Sequence, residues 1–245
     1  MLGRVLKDLW RAWQNREPSR APLPPTAGPR SSPTVLRYRP DVFDVADEKS
    51  ARRIILTPEG GDSTESRWDR ETPWIVRLAS RELALNPRTR VLDYGCGIGR
   101  IAKGVIESTG CMVTGVDISA SMRGLAIAYV SSGSFEALDP VALDARNGAG
   151  MQVDAAIACW VLQHCMSPDV DIARLLASLR PGGRLLVVNN HRRAVPGDDG
   201  WVDDDIDIAK ALDACFLLVR RGTLDAEVAG IAVSQHSFFA IYERR

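Results

Sequence analysis

The chain has 245 residues, with Lys plus Arg equal to Asp plus Glu at 31 each, and 45% of its residues are apolar. Balanced charge gives no electrostatic footprint for nucleic acid, and the apolar share is that of a globular domain with a sizeable core. No apolar run approaches the ~20 residues of a membrane span.

Leu2, Val5, Leu6, Leu9, Trp10 and Trp13 recur at helical spacing, with Arg4, Lys7, Arg11 and Arg16 beside them. They predict an amphipathic helix over residues 1–16, too polar for a secretory segment. It suits a flap on the domain, or a contact with a membrane surface or partner protein. Residues 17–33 are rich in Pro, Ser, Ala and Gly and read as a linker. Residues 34–245 then form one domain. Within it, 34–62 give no clear pattern beyond Ile54-Ile55-Leu56 and a turn at Pro58-Glu59-Gly60-Gly61. Residues 63–85 read as helical with a break, because Thr72 and Pro73 suit an N-cap and a first helical position. Trp74, Ile75, Leu78 and Leu83 would face inward.

The segment VLDYGCGIGR over 91–100 is the most informative stretch. An apolar pair and an acid run into three glycines at every second residue, and a helical pattern follows (Ile101, Ala102, Val105, Ile106). That is a buried strand, a tight turn and a helix start. Glycine allows positive φ and lets a ligand lie against bare backbone. The helix start offers free N–H groups to an anionic ligand group. A dinucleotide fingerprint needs G-x-G-x-x-G; here the run is G-x-G-x-G, and Arg100 stands where the third glycine would be. A second strand ends at Asp117, 20 positions beyond Gly97 (117 − 97). An acid at that distance bonds ribose hydroxyls in doubly wound folds. Ser119 suits the N-cap of the next helix, whose Met122, Leu125 and Ala126 would face inward.

A third strand is expected over 134–138, before Asp139-Pro140, and a fourth over 153–160, running into Val161-Leu162-Gln163-His164-Cys165. Its apolar residues without alternation fit burial on both faces. Ile172, Leu175, Leu176 and Leu179 predict a helix before Pro181-Gly182-Gly183, and 184–189 a fifth strand. A polar loop over 189–201, a helix over 203–213 and strands over 214–220 and 235–243 follow. Cys96, Cys111, Cys159, Cys165 and Cys215 form no CxxC pair, and nothing near Cys159 and Cys165 completes a metal-ligand set. The odd count, without a secretion signal, points to reduced thiols in a cytoplasm.

VLDYGCGIGR resembles the first motif of class I S-adenosylmethionine (SAM)-dependent methyltransferases. DAAIACWVLQHC resembles their fourth motif, RPGGRLLVVNN their late turn and strand, and Arg67-Trp68-x-x-Glu71-Thr72 a segment that covers the cofactor in some bacterial members. The resemblance covers about 63–245 and is weak after 190. It implies an α/β, doubly wound fold, with a mostly parallel seven-stranded sheet and helices on both faces. It also implies SAM as cofactor, held by Asp93, Gly95, Cys96, Gly97, Asp117, Ile118, Met122 and Cys159. An acid at the third strand's end would meet the adenine; Asp139 is the candidate and Asp144 its rival. His164 is the one histidine near the expected methyl group, either a general base or a loop buttress. His191, Arg192 and Arg193 offer cationic donors beyond the fifth strand, so the small acceptor, of unspecified N, O, S or C atom, is expected to carry an anionic group. A nicotinamide-dependent oxidoreductase and a non-catalytic SAM-fold module are the alternatives.

Overall fold

The computed structural model describes residues 36–245; the helix expected over 1–16 and the linker over 17–33 lie outside them. The buried apolar runs form β1 (Arg90–Tyr94), β2 (Met112–Val116), β3 (Phe135–Leu138), β4 (Val153–Cys159) and β5 (Leu179–Asn190). These five pair in parallel. The loop after β5 holds a small separate hairpin, β6 (Val195–Gly197) and β7 (Gly200–Val202). β8 (Leu217–Gly222) and β9 (Ser237–Glu243) complete a seven-stranded sheet in the order β3-β2-β1-β4-β5-β9-β8. Only β9 runs against the rest, pairing antiparallel with β5 and β8.

Alternation along the strands fills two cores, since successive side chains leave a strand on opposite faces. Val91, Val113, Ile157, Leu186 and Ile241 face helices α2 (Thr64–Glu82) and α3 (Arg100–Thr109). Leu92, Ala156, Leu185 and Ala240 lie in the opposite core with Leu143, Ile172, Leu175 and Leu212. These come from α5 (Pro140–Gly148), α6 (Pro168–Ser178) and α7 (Ile208–Cys215). Each fully buried side chain of this size contributes about 1.5–3 kcal/mol. The helices of the first face also include α1 (Glu48–Ile55) and α4 (Ala120–Val130). Short helices α8 (Ala226–Ala229) and α9 (Ile231–His236) join β8 to β9.

Three expectations need correction. First, α2 is one continuous helix, capped by the Ser63 hydroxyl, which accepts from the Ser66 N–H at 3.1 Å. Pro73 lies inside it, and the carbonyl it leaves without an i→i−4 donor belongs to the exposed Asp69. Thr72 is no cap; its hydroxyl donates to the Trp68 carbonyl at 2.5 Å. Second, Trp68 is not among the residues lining the crevice cavity. It is buried, with the Arg52 guanidinium 4.5 Å and the Arg100 guanidinium 5.4 Å from its ring centre. Third, the helix expected over 203–213 starts at Ile208. The carboxylates of Asp203 and Asp204 bond to Arg193 instead, and Asp207 supplies the cap, accepting from the Lys210 N–H.

Close packing of α2 on α3 depends on Gly104. A Cβ there would stand 2.5 Å from Cγ2 of Val76, a stiff side chain that is itself buried. Alanine gains about 0.5–1 kcal/mol over glycine inside a helix, whereas overpacking costs about 1–3 kcal/mol. Gly104→Ala is therefore expected to destabilise the fold in urea unfolding, and adding Val76→Ala to restore part of the loss.

Candidate functional site

The sheet reverses its winding between β1 and β4, and the crevice beyond the carboxyl ends of those strands is where doubly wound folds bind ligands. The turn after β1 is built for close approach. Gly95, Gly97 and Gly99 all have positive φ, at 73°, 53° and 80°. A Cβ on Gly95 would lie 2.3 Å from Cγ2 of Val161, and one on Gly97 2.8 Å from Cδ1 of Ile55. Gly99 caps α3 in the left-handed conformation and without a side-chain hydrogen bond. The Val116 carbonyl accepts from the N–H groups of both Gly95 (2.7 Å) and Cys96 (3.0 Å), fastening this turn to the end of β2.

Asp117 completes the fastening. Its two carboxylate oxygens accept from the N–H groups of Gly97 and Ser119, each at 2.9 Å. An ionised carboxylate has about four lone-pair positions, so two remain for a pair of hydroxyls. Burial pushes its carboxyl above the ordinary range, and the two amide bonds oppose that rise.

Asp93 and Cys96 sit beneath the cradle. Asp93 is buried and accepts from the Ala102 N–H in the first turn of α3, a donor that the glycine cap leaves open. Its Oδ2 has no hydrogen-bond partner among the described residues. Burial raises its pKa to about 7, with Arg100 pulling the other way. The Cys96 thiol packs beside Gly115, where a Cβ would lie 2.8 Å from its sulfur, and burial drives its pKa well up. Neither residue opens onto the cavity.

A cavity of about 400 Å³ spans the crevice, within the range of small-molecule sites. Gly95, Gly97, Asp117, Ile118 and Met122, from the turns after β1 and β2 and the head of α4, line it. Cys159, Trp160, Val161, His164, Cys165 and Met166, from the end of β4 and the turn after it, line it as well. Trp160 holds φ at +58°, rare for a residue with a side chain, at the end of β4. Asp139 is not on the wall. It caps α5, accepting from the Ala142 N–H at 2.8 Å, and its neighbour Pro140 lines the cavity in its place. Its rival Asp144 pairs with Arg174 at 2.9 Å.

His164 reaches the wall as a strut. Nδ1 lies 2.7 Å from the Ala194 carbonyl, so it carries the proton, and Nε2 faces the Gln163 amide at 3.3 Å. Burial lowers its pKa to about 4. The lowered pKa keeps the imidazole neutral near pH 7.

The anion-selecting loop is also corrected. Arg193 is fully buried, its Nε and Nη2 each 2.9 Å from a carboxylate oxygen of Asp204, and its Nη1 donates to the Leu162 carbonyl. Arg192 points to Asp203 at 3.7 Å, and His191 stacks on Phe238. None lines the cavity.

Sequence reading missed two parts of the site. A strap over 36–47 crosses the cavity mouth and brings Tyr38 and Phe43 to its wall. One side is held by the hairpin, through Arg39 N–H to the Pro196 carbonyl (2.9 Å) and Arg39 to Asp198 (2.9 Å). The other is held by Ser119, whose hydroxyl donates to Asp44 (2.9 Å), and by Ser121, which accepts from the Val45 N–H (3.0 Å). The other part is Tyr94, whose hydroxyl donates to Asp171 at 2.5 Å, with Arg174 3.2 Å from the same carboxylate. Both depend on contacts far apart in the chain.

Asp93 makes a pH prediction. Its folded pKa is raised, so the folded state holds the proton where the unfolded state has lost it. Its contribution to stability therefore falls as pH rises from about 4 to about 7. Other carboxylates oppose this trend, so the readout is the difference between wild type and Asp93→Asn. Urea unfolding should find the variant gaining on wild type between about pH 4 and about pH 7; a constant difference would contradict the assignment.

Comparison with known proteins agrees with this geometry. The methyltransferase-domain family profile matches residues 91–183. N-demethylindolmycin N-methyltransferase of Streptomyces griseus is 32% identical over 110 residues, 43% of this chain and 46% of that protein. Ubiquinone/menaquinone biosynthesis C-methyltransferase UbiE of Syntrophotalea carbinolica is 29% identical over 157 residues, 62% of each chain. The chain thus spans less than two thirds of these relatives' length. Magnesium protoporphyrin IX methyltransferase (ChlM) from Synechocystis PCC 6803, solved with bound SAH, superposes with a TM-score of 0.60 at 19% identity, covering 84% of this chain and 97% of that one.

Proposed function

We propose that this chain, whose residues 91–183 match the methyltransferase-domain family, is a class I SAM-dependent methyltransferase that moves the methyl group of SAM to a small-molecule acceptor. The observation that carries the reading is the Asp117 carboxylate, held by the Gly97 and Ser119 amides at the switch point with acceptor capacity to spare. The residues present fit the cofactor. Asp117 suits a ribose diol, and the turn at Gly95 and Gly97 lets the cofactor lie against backbone.

When bound, SAM supplies a methyl group already activated by its sulfonium. The chain's part is orientation and exclusion of water. The strap carrying Tyr38 and Phe43 closes over the crevice, and the turn after β4 sets the acceptor's approach. Such positioning supplies about 7–11 kcal/mol of barrier lowering. His164 holds that turn through the Ala194 carbonyl, which supports a positioning role. The relatives named for indolmycin and quinone precursors support a small acceptor. The methyltransferase-domain match sets aside the nicotinamide alternative. All five thiols are unpaired, which fits a reducing compartment such as the cytoplasm.

Asp117→Ala removes charge-assisted acceptor bonds worth about 1.5–3 kcal/mol, more than tenfold in affinity. Asp117→Asn keeps the shape and one acceptor oxygen and should fall between Ala and wild type. Calorimetric titration with SAM checks the order, with a thermal melt to show that each variant is folded. Unchanged affinity in the folded Ala variant would remove the ribose assignment.

A further inference from the structure

The acceptor end of the cavity has no charge to spare. Asp171 is engaged by the Tyr94 hydroxyl and by Arg174, and Arg174 also pairs with Asp144. Asp117 is committed to two amides and to the cofactor end. His164 is neutral, and burial raises the thiols of Cys159 and Cys165 far enough to keep both protonated. Arg39, at the rim, lies between Asp41 and Asp198. An acceptor with a carboxylate or an ammonium would bring a charge into this space with no counter-charge to meet it, a heavily penalised arrangement.

Shape and polarity are equally specific. The rings of Phe43, His164 and Trp201 form one corner, with centroids 5.8, 5.1 and 6.2 Å apart pairwise and tilted by 54–57°. Phe43 and His164 line the cavity together with the apolar Val161 and Val170. Two lining residues carry donors without a partner among the described residues. Trp160 has a buried indole Nε1. Tyr38 lines the cavity too, and its hydroxyl makes no hydrogen bond to another described residue. Burial, with Cys165, Asp171 and Asp117 nearby, keeps it protonated and so able to donate.

Resting on the methyltransferase reading, we propose that this end takes an uncharged cyclic acceptor, packed against Phe43 and His164 and hydrogen-bonded at its polar edge by the Tyr38 hydroxyl. The acceptor class is that of neutral phenols, indoles and quinols. Tyr38 and Phe43 become the residues that set specificity, and the arginines after β5 play no part in it.

The test uses the full chain loaded with SAH, after SAH binding has been measured by calorimetry. Competition or dialysis then compares indole and p-cresol with p-hydroxybenzoate, tyramine and hexanol. The neutral rings should bind at least about tenfold tighter than either charged analogue, equivalent to about 1.4 kcal/mol, and tighter than hexanol. Phe43→Ala should weaken both ring probes severalfold and Tyr38→Phe mainly p-cresol, with SAH affinity held in each. Val170→Arg, at a half-exposed position of the wall, should raise affinity for p-hydroxybenzoate. Preference for a charged probe or for hexanol, or no binding of either ring probe to SAH-loaded protein, overturns the inference and leaves the methyltransferase reading standing. Failure to bind SAH brings down both.

Discussion

One carboxylate ties the site together. Asp117 ends β2, yet it holds the Gly97 amide in the turn after β1 and the Ser119 amide at the head of α4. Without that bridge the two turns have only the Val116 carbonyl to set their spacing. Ser119 carries the arrangement onward: its backbone bonds to Asp117, while its hydroxyl caps α4 and reaches the strap at Asp44. The contact that prepares the cofactor end is thus continuous with the contact that holds the cover. A ligand hydroxyl on Asp117 would join an existing network, and preorganised networks lose little entropy on binding.

The acceptor end is held by a second network, built around a buried cation. Arg193 has lost its water, and two bonds to Asp204 and one to the Leu162 carbonyl replace it. Removing one partner of such a pair leaves a buried charge and costs far more than the pair gains by forming. The pair fixes the loop after β5 against the turn after β4. Around it, the Gln163 amide N–H donates to Asn189, the Ala194 N–H donates to the Gln163 carbonyl, and His164 bonds to the Ala194 carbonyl. The same residues that looked like an anion trap are the frame of an apolar chamber.

The sheet was legible because its signals are local. Apolar runs, a glycine turn and an acid at a strand end repeat in order from 91 to 189, and β1 to β4 lie where those runs are, while β5 begins earlier than expected, at Leu179. Ser119 caps its helix as its position suggests. The misreadings share a cause: a polar residue was read for what it offers, without knowledge of its partner. Asp139 offers a carboxylate but spends it on the first turn of α5. Arg193 offers a guanidinium but meets Asp204, and of the two roles open to His164 its bond to the Ala194 carbonyl favours the buttress. Thr72-Pro73 looks like a helix start, yet tertiary packing of Ile75, Val76 and Leu78 carries one helix through it. The strap could not be read from sequence, because residues 36–47 hold the site through contacts with 119–121 and 196–198 and have little regular structure of their own.

The central claim is that the crevice between β1 and β4 is a SAM site. Calorimetric titration of the wild-type chain with SAH, and in parallel with NAD, tests it most directly. Saturable one-site binding of SAH is expected, with no heat of binding from NAD. Binding of NAD with no response to SAH would contradict it.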